Sequence, residues 1–237
     1  MSATLLAVAH GTADPAGQAE IRRLVELIRS QRPAIPVELG WLEHASPPAA
    51  EVLGRLTGPV VLVPLLLSTG FHVKVDIQRL VGDRPSTAVA GQLGPDPRLI
   101  EVVWQRLLPG RTPGTTVVLF GAGSADPEAF EQLTEAAAGL RGALAAAEGT
   151  EPMVHARFLT DPAGWPGGPP VRPDIANYLL APGVFNDRLR ATAELLAAGF
   201  TAPPLGAHPL IAELAWNRYD QAATVPGLGS SGPAVPG

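Results

Sequence analysis

Cysteine is absent from all 237 residues, which excludes disulfides, thiolate metal sites, iron–sulfur ligation and cysteine nucleophiles, and fits a reducing compartment. Lysine is nearly absent too: Lys74 stands alone among 17 basic residues. Acidic residues outnumber basic ones, and the net charge of −5 leaves no electrostatic footprint for nucleic acid or an anionic bilayer, so neither is expected as a partner. No apolar run approaches the roughly 18 residues that would span a membrane. The start, Met1 to Leu6, carries no basic region ahead of its short apolar stretch, so we expect no signal peptide and a cytoplasmic protein. Missing as well are a phosphate loop, Gly-x-Gly-x-x-Gly, Gly-x-Ser-x-Gly and His-Glu-x-x-His.

What the chain does have is an internal repeat. Leu5 to Pro15 lines up with Val117 to Pro127, 112 residues further on, and Leu93-Gly94, Pro97, Glu101, Trp104 and Arg106 recur at the same offset as Leu205-Gly206, Pro209, Glu213, Trp216 and Arg218. Repetition on this scale implies two similar lobes. Short apolar segments at 3–9, 36–42, 59–67 and 86–91 read as strands, separated by helical patterns near 16–31, 47–57, 72–81 and 97–108. The second half shows strands near 116–121, 153–159 and 175–181 and helices near 127–147, 184–198 and 209–221. Asp14-Pro15, Ser46-Pro47, Asp96-Pro97 and Asp126-Pro127 each offer an N-cap followed by proline at the first helical position. The expected class is α/β: two lobes, each a mostly parallel sheet flanked by helices, with ligands beyond the carboxyl ends of the strands. Residues 1–110 form one lobe and 115–223 the other, joined by the Pro/Gly-rich stretch 108–115. The tail, 224–237, is expected to be disordered. The irregular run from Asp161 to Pro173 replaces the second helix of the first lobe, and we expect it to form a loop over the cleft.

The two halves differ where chemistry is most readily carried. His10 and His72 each follow a strand-like run, in Ala9-His10-Gly11 and Gly70-Phe71-His72. Their counterparts in the second half are Ala122 and Phe185. Turn residues persist in both copies while the imidazoles persist in one, which favours a chemical role for them over a folding one. Two neutral imidazoles can hold a divalent first-row metal with positions left open, and a carboxylate would complete such a site. Glu43, at the end of the second strand, is the candidate carboxylate, and its counterpart is Thr160. Neighbouring strand residues face opposite sides, so His44 is expected to point away. His155 and His208 lack a convergent partner and read as structural or surface residues. Gly11 and Gly70 serve tight turns or let a flat ligand approach the backbone. Asp76 reads as ordering the segment after His72.

The stretches Val8 to Pro15, Trp41 to Pro48 and Val63 to Ile77 resemble the sirohydrochlorin chelatase family of small class II tetrapyrrole chelatases, closely over the first lobe and in outline over the whole chain. The resemblance implies a two-lobed chelatase fold with a tetrapyrrole, sirohydrochlorin, in the cleft and metal delivered by histidines that correspond to His10 and His72. Related chelatases also use a carboxylate, for which Glu43 is the available residue. Short members are single lobes that pair as homodimers, so this chain looks like a fused pair, a monomer with pseudo-dimeric lobes, in which one half lost its histidines. It departs from many members in having Gln78 where they have proline. The implied reaction inserts a divalent metal without a further cofactor. Fe²⁺, giving siroheme, is preferred over Co²⁺, giving cobalt-sirohydrochlorin for cobalamin synthesis, and Ni²⁺ also suits the ligand set. Gly11, Gly70 and Lys74 are the expected substrate contacts, with Arg79 and helix N-termini as further partners for substrate carboxylates. Two rivals stay open: a two-lobed metal or tetrapyrrole carrier without turnover, and a histidine phosphatase, although the latter would want arginine where Ala9 stands.

Overall fold

In the computed structural model, which describes residues 2–70, 75–82, 84, 86–161, 165 and 168–224, strands and helices alternate as the periodicity predicts. Strands β1 (Thr4–Ala9), β2 (Val37–Trp41), β3 (Val60–Pro64) and β4 (Thr87–Val89) form a parallel sheet in the order β2-β1-β3-β4. Strands β5 (Val117–Gly121), β6 (Val154–Phe158), β7 (Asp174–Tyr178) and β8 (Phe200–Thr201) form a second in the order β6-β5-β7-β8. The two sheets thus share one topology. In each, the chain runs outward one way from the first strand and the other way from the third, which leaves a switch point between their carboxyl ends where ligands gather. Strand β8, only two residues long, was not anticipated. Its sequence carries too little apolar alternation to stand out.

Between the strands lie α1 (Pro15–Gln31), α2 (Ala49–Arg55), α3 (Ile77–Val81), α4 (Pro97–Leu107), α5 (Pro127–Glu148), α6 (Val184–Leu195) and α7 (Pro209–Ala223). Asp14, Asp96 and Asp126 cap α1, α4 and α5, each accepting from a backbone N–H two residues on. Ser46-Pro47 does not repeat the device. Helix α2 begins later, at Ala49, behind Pro48 and with no side-chain capping bond.

The terminal helices are exchanged. Helix α4, which follows the first sheet in sequence, packs on α5 and β7 of the second half, and α7 packs on α1 and β3 of the first. The indole of Trp216 donates to Ile28 O at 2.9 Å, the Tyr219 hydroxyl donates to Ala3 O at 2.6 Å, and Arg32 pairs with Asp220 at 2.7 Å. The repeated arginines work reciprocally: Arg106 donates to Leu205 O, and Arg218 donates to Leu93 O, both at 2.9 Å. One apolar core therefore runs through both halves, including Leu5, Leu24, Leu99, Leu119, Leu140 and Trp216. Two smaller clusters cover the outer faces of the sheets, around Leu6, Val8, Val52 and Ile77 in the first and Val118, Phe120, Ile175 and Leu189 in the second. Among the described residues, no helix is long and apolar enough to cross a membrane. The tail expected to be disordered lies, beyond Thr224, outside the described residues.

Candidate active site

Hydrogen bonding between β1 and β2 continues past the strands. Leu42 N donates to Ala9 O at 2.9 Å and Glu43 N to His10 O at 3.0 Å, which sets Glu43 beside His10 at the carboxyl end of the sheet. Gly11 makes this approach sterically possible: at φ 108° any Cβ would be strained, and it would run into the carbonyl oxygen of Glu43. The side chains then meet, with His10 Nδ1 3.2 Å from Glu43 Oε1. The second half keeps the frame. Gly123, at φ 127°, likewise backs onto Thr160, though against its side chain rather than its backbone, so Ala122 and Thr160 stand where His10 and Glu43 do in the first half.

His44 corrects the expectation that it points away. Its Nε2 lies 3.2 Å from Glu43 Oε2, so the Glu43 carboxylate is bracketed by two imidazoles. The alternation rule fails because β2 has already ended at Trp41 and His44 takes φ 57°, a left-handed conformation that histidine enters more readily than most residues. The Ala45-Ser46-Pro47-Pro48 run that follows was the available signal that regular strand geometry had stopped.

His10 and His44 line a cleft of ≈ 660 Å³ formed by both halves, within the usual range for small-molecule sites. The switch points of the two sheets face each other across it. Leu65 to Gly70 close one side and Leu179 to Asn186 the other. Gly11 and Gly70 both line the cleft, and a Cβ at Gly70 would come within 3.2 Å of Ser124 Oγ from the opposite half. Phe185, the counterpart of His72, lines the cleft as well. His72 and Lys74 themselves lie outside the described residues. Among the described residues no group of three His, Asp or Glu side chains is arranged to hold a metal ion.

Several cleft residues were not singled out from sequence. Trp41 Nε1, Thr69 Oγ1 and the Tyr178 hydroxyl are buried without a hydrogen-bond partner among the described residues, and all three residues line the cleft. Buried polar groups without partners are rare in folded proteins, and these three gather at the cleft. Burial pushes the Tyr178 phenol well above the usual tyrosine range, and the carboxylates of Asp96 and Glu135 add to the shift, so it remains a neutral O–H donor at physiological pH.

Other expected contributors stand elsewhere. Arg79 does not line the cleft; it opens on a separate cavity and faces Asp76 at 4.0 Å. Asp76 stands at the start of α3 without making a capping bond. His155 packs edge-to-face on Trp165. His208 caps α7, its Nδ1 accepting from Leu210 N, and burial together with Arg106 holds its pKa down. Of the 161–173 segment expected over the cleft, no described residue lines it. Trp165 instead packs with the apolar cluster on the outer face of the second sheet, and residues 162–164 and 166–167 lie outside the described residues.

The paired glycines yield a controlled test. Gly123→Ala should cost about 1–3 kcal/mol through a side chain forced to positive φ, read as a fall in Tm, and Gly11→Ala should cost more, because its Cβ meets the Glu43 backbone rather than a side chain. Only Gly11→Ala should also displace Glu43 from beside His10.

Residues 4–109 match the family model described as CbiX. The sirohydrochlorin cobaltochelatase of Methanosarcina barkeri is 22% identical over 120 residues, covering 44% of this chain and 92% of that protein. The fold is similar to that of SirB from Bacillus subtilis with Fe³⁺, at a TM-score of 0.74 and 24% identity over 94% of this chain and 96% of that one. It is equally similar to the sirohydrochlorin chelatase SirB from Bacillus subtilis subspecies spizizenii in complex with cobalt, at 0.74 and 23% over 95% and 97%.

Proposed function

We propose that this chain, which belongs through its first lobe to the sirohydrochlorin chelatase family, inserts a divalent metal ion into sirohydrochlorin held in the inter-lobe cleft. One observation carries the reading: His10 and Glu43 meet at 3.2 Å at the mouth of the first switch point, while the same frame in the second half holds Ala122 and Thr160. Selection for folding alone gives no reason to keep the imidazole and the carboxylate in one copy only. His72 completes the ligand set in this proposal. Its counterpart Phe185 borders the same cleft, which supports the assignment by the pseudo-symmetry of the halves.

The metal enters as substrate. His10, His72 and Glu43 hold it on one side of the macrocycle, two pyrrole protons leave as it moves into the ring, and imidazole or water accepts them. Charge balances without a redox step: one M²⁺ replaces two H⁺. The mostly apolar second-lobe wall, with Phe158, Leu179 and Phe185, offers surface for a flat ring, and Gly11 and Gly70 let it approach the backbone. The carboxylates of the macrocycle need cations, and the described residues lining the cleft include no lysine or arginine. Lys74 is one candidate. Arg22 and Arg188, stacked over the cleft-lining rings of Trp41 and Phe185 at 5.7 and 5.5 Å, are better placed than Arg79.

Fe²⁺ is the preferred ion, giving siroheme, with Co²⁺ as the alternative, since imidazole and carboxylate accept both. The division into repeats 1–110 and 115–223, a monomeric state and a cytoplasmic location belong to the same proposal. An exchange of terminal helices between halves is what fusion of a paired single-lobe protein would leave behind. Purified protein incubated anaerobically with sirohydrochlorin and excess Fe²⁺ or Co²⁺ should convert many equivalents of the macrocycle, followed by its absorption change. Conversion or binding that stops at one equivalent would make it a carrier, and steady-state rates with each ion would rank the metals.

A further inference from the structure

A second cavity, of ≈ 620 Å³, opens on the outer face of the first sheet between α2 and α3. Trp41, Leu42, Glu43, Ala50, Asp76 and Arg79 are among its walls. Among the described residues, Trp41 alone lines both this cavity and the cleft, and Glu43 lines the cavity rather than the cleft. Yet the two carboxylate oxygens of Glu43 lie 3.2 Å from His10 Nδ1 and 3.2 Å from His44 Nε2, and both histidines line the cleft. The carboxylate therefore stands in the partition between two spaces.

We propose that the metal ion reaches Glu43 through this side cavity, by a path separate from the cleft that takes the macrocycle. The inference rests on the chelatase reading above. If ion and macrocycle shared the cleft opening, the order of their entry would be constrained. A side entrance removes that constraint on order. At roughly 30 Å³ of liquid volume per water, the cavity has room for on the order of 20 water molecules, enough to admit a cation with its hydration shell. Its charged walls among the described residues are the carboxylates of Glu43 and Asp76 and the largely exposed guanidinium of Arg79, an excess of one carboxylate that favours a cation.

The second half supplies an independent comparison. There the counterpart of Glu43 is Thr160, and Trp165 packs into the outer-face cluster bordered by Ala122, Leu159 and Phe185. The half without the imidazole and carboxylate has an indole packed on its outer face; the half that retains them has a cavity there.

Ala50, exposed at the start of α2, is the place to test the route, because it touches neither the cleft nor the proposed ligands. In protein preloaded with sirohydrochlorin, Ala50→Trp should slow Co²⁺ insertion severalfold and raise KM for Co²⁺, with unchanged affinity for the metal-free macrocycle measured by absorbance titration. Ala50→Glu and Ala50→Lys, which a structural defect would shift in the same direction, should shift KM for Co²⁺ in opposite directions by about 3-fold each at low ionic strength, converging as salt is added. Parent-like insertion kinetics in all three variants would overturn the side route alone. A parent that inserts no metal would overturn the chelatase reading and the route with it.

Discussion

Replacing His10 with alanine will lower metal insertion by about 10²–10⁴-fold, the usual contribution of a positioned catalytic imidazole, and will leave Tm close to that of the parent. The second half of the expectation follows from position. The His10 side chain is partly exposed at the end of β1, so its removal opens no core cavity, and the backbone bond from Glu43 N to His10 O persists in the variant. The second half of the molecule already shows that alanine suits this frame, since Ala122 occupies it. Glu43 would keep its contact with His44 and lose its contact with His10, the pairing on which the proposed metal site depends. His72→Ala should behave alike, whereas Glu43→Gln, which keeps the shape and removes the charge, should weaken Co²⁺ binding by about 10–100-fold if its role is chiefly to orient and charge the site. Insertion by His10→Ala and His72→Ala as fast as by the parent, above the spontaneous rate, would remove the mechanism.

Arg111→Ala will have the opposite signature, a large loss of stability with little effect on chemistry in the molecules that remain folded. Arg111 lies just after the first half ends, and its side chain is 2% exposed. It donates to Glu148 Oε1 at 2.8 Å and to Asp174 Oδ2 at 2.9 Å, and those carboxylates are 7% and 1% exposed. Asp174 Oδ2 also accepts from Thr112 N at 3.0 Å and Thr115 Oγ1 at 2.8 Å. Removing the guanidinium strands two buried carboxylates without their counter-charge, which costs about 3–5 kcal/mol when one partner of a buried pair is deleted. For a chain of this size the fall in Tm should be roughly 6–20 °C. The network stands where β7 begins, at the opposite end of the strands from the cleft, so kcat measured well below Tm should hold. A Tm within 2 °C of the parent, an amount of about 1 kcal/mol or less, would show that the cluster contributes little beyond its own desolvation cost.

These two variants separate what the residues announce from what the fold arranges. The strands, the long helices and three of the aspartate caps follow from apolar periodicity and from local hydrogen-bond chemistry, which neighbouring residues determine among themselves. Asp14, Asp96 and Asp126 cap as expected because a cap needs only the two or three residues after it. Ser46 does not, because α2 starts beyond Pro48 and the intervening turn is irregular. His10 and Glu43 were legible as candidates through their loss in the second copy, a comparison the chain makes with itself. His44 was misread because its direction depends on one left-handed backbone torsion. Tyr178 carries no motif and Thr69 was not singled out within its own, and their polar atoms draw notice only when found buried and without a partner among the described residues beside the cleft.

The residues alone determined that there are two α/β halves, and that the first carries His10 and Glu43 where the second carries Ala122 and Thr160. Each of those properties is encoded within a few tens of residues or in a direct comparison of two aligned segments. Tertiary structure alone decided that α4 and α7 change places, that Arg106 and Arg218 tie the halves reciprocally, and that Glu43 stands between a shared cleft and a side cavity. The exchange and the reciprocal ties arise from contacts far apart in sequence, as in the bond from Arg106 to Leu205, 99 positions on, and no local periodicity encodes which of two equivalent sheets a helix will cover.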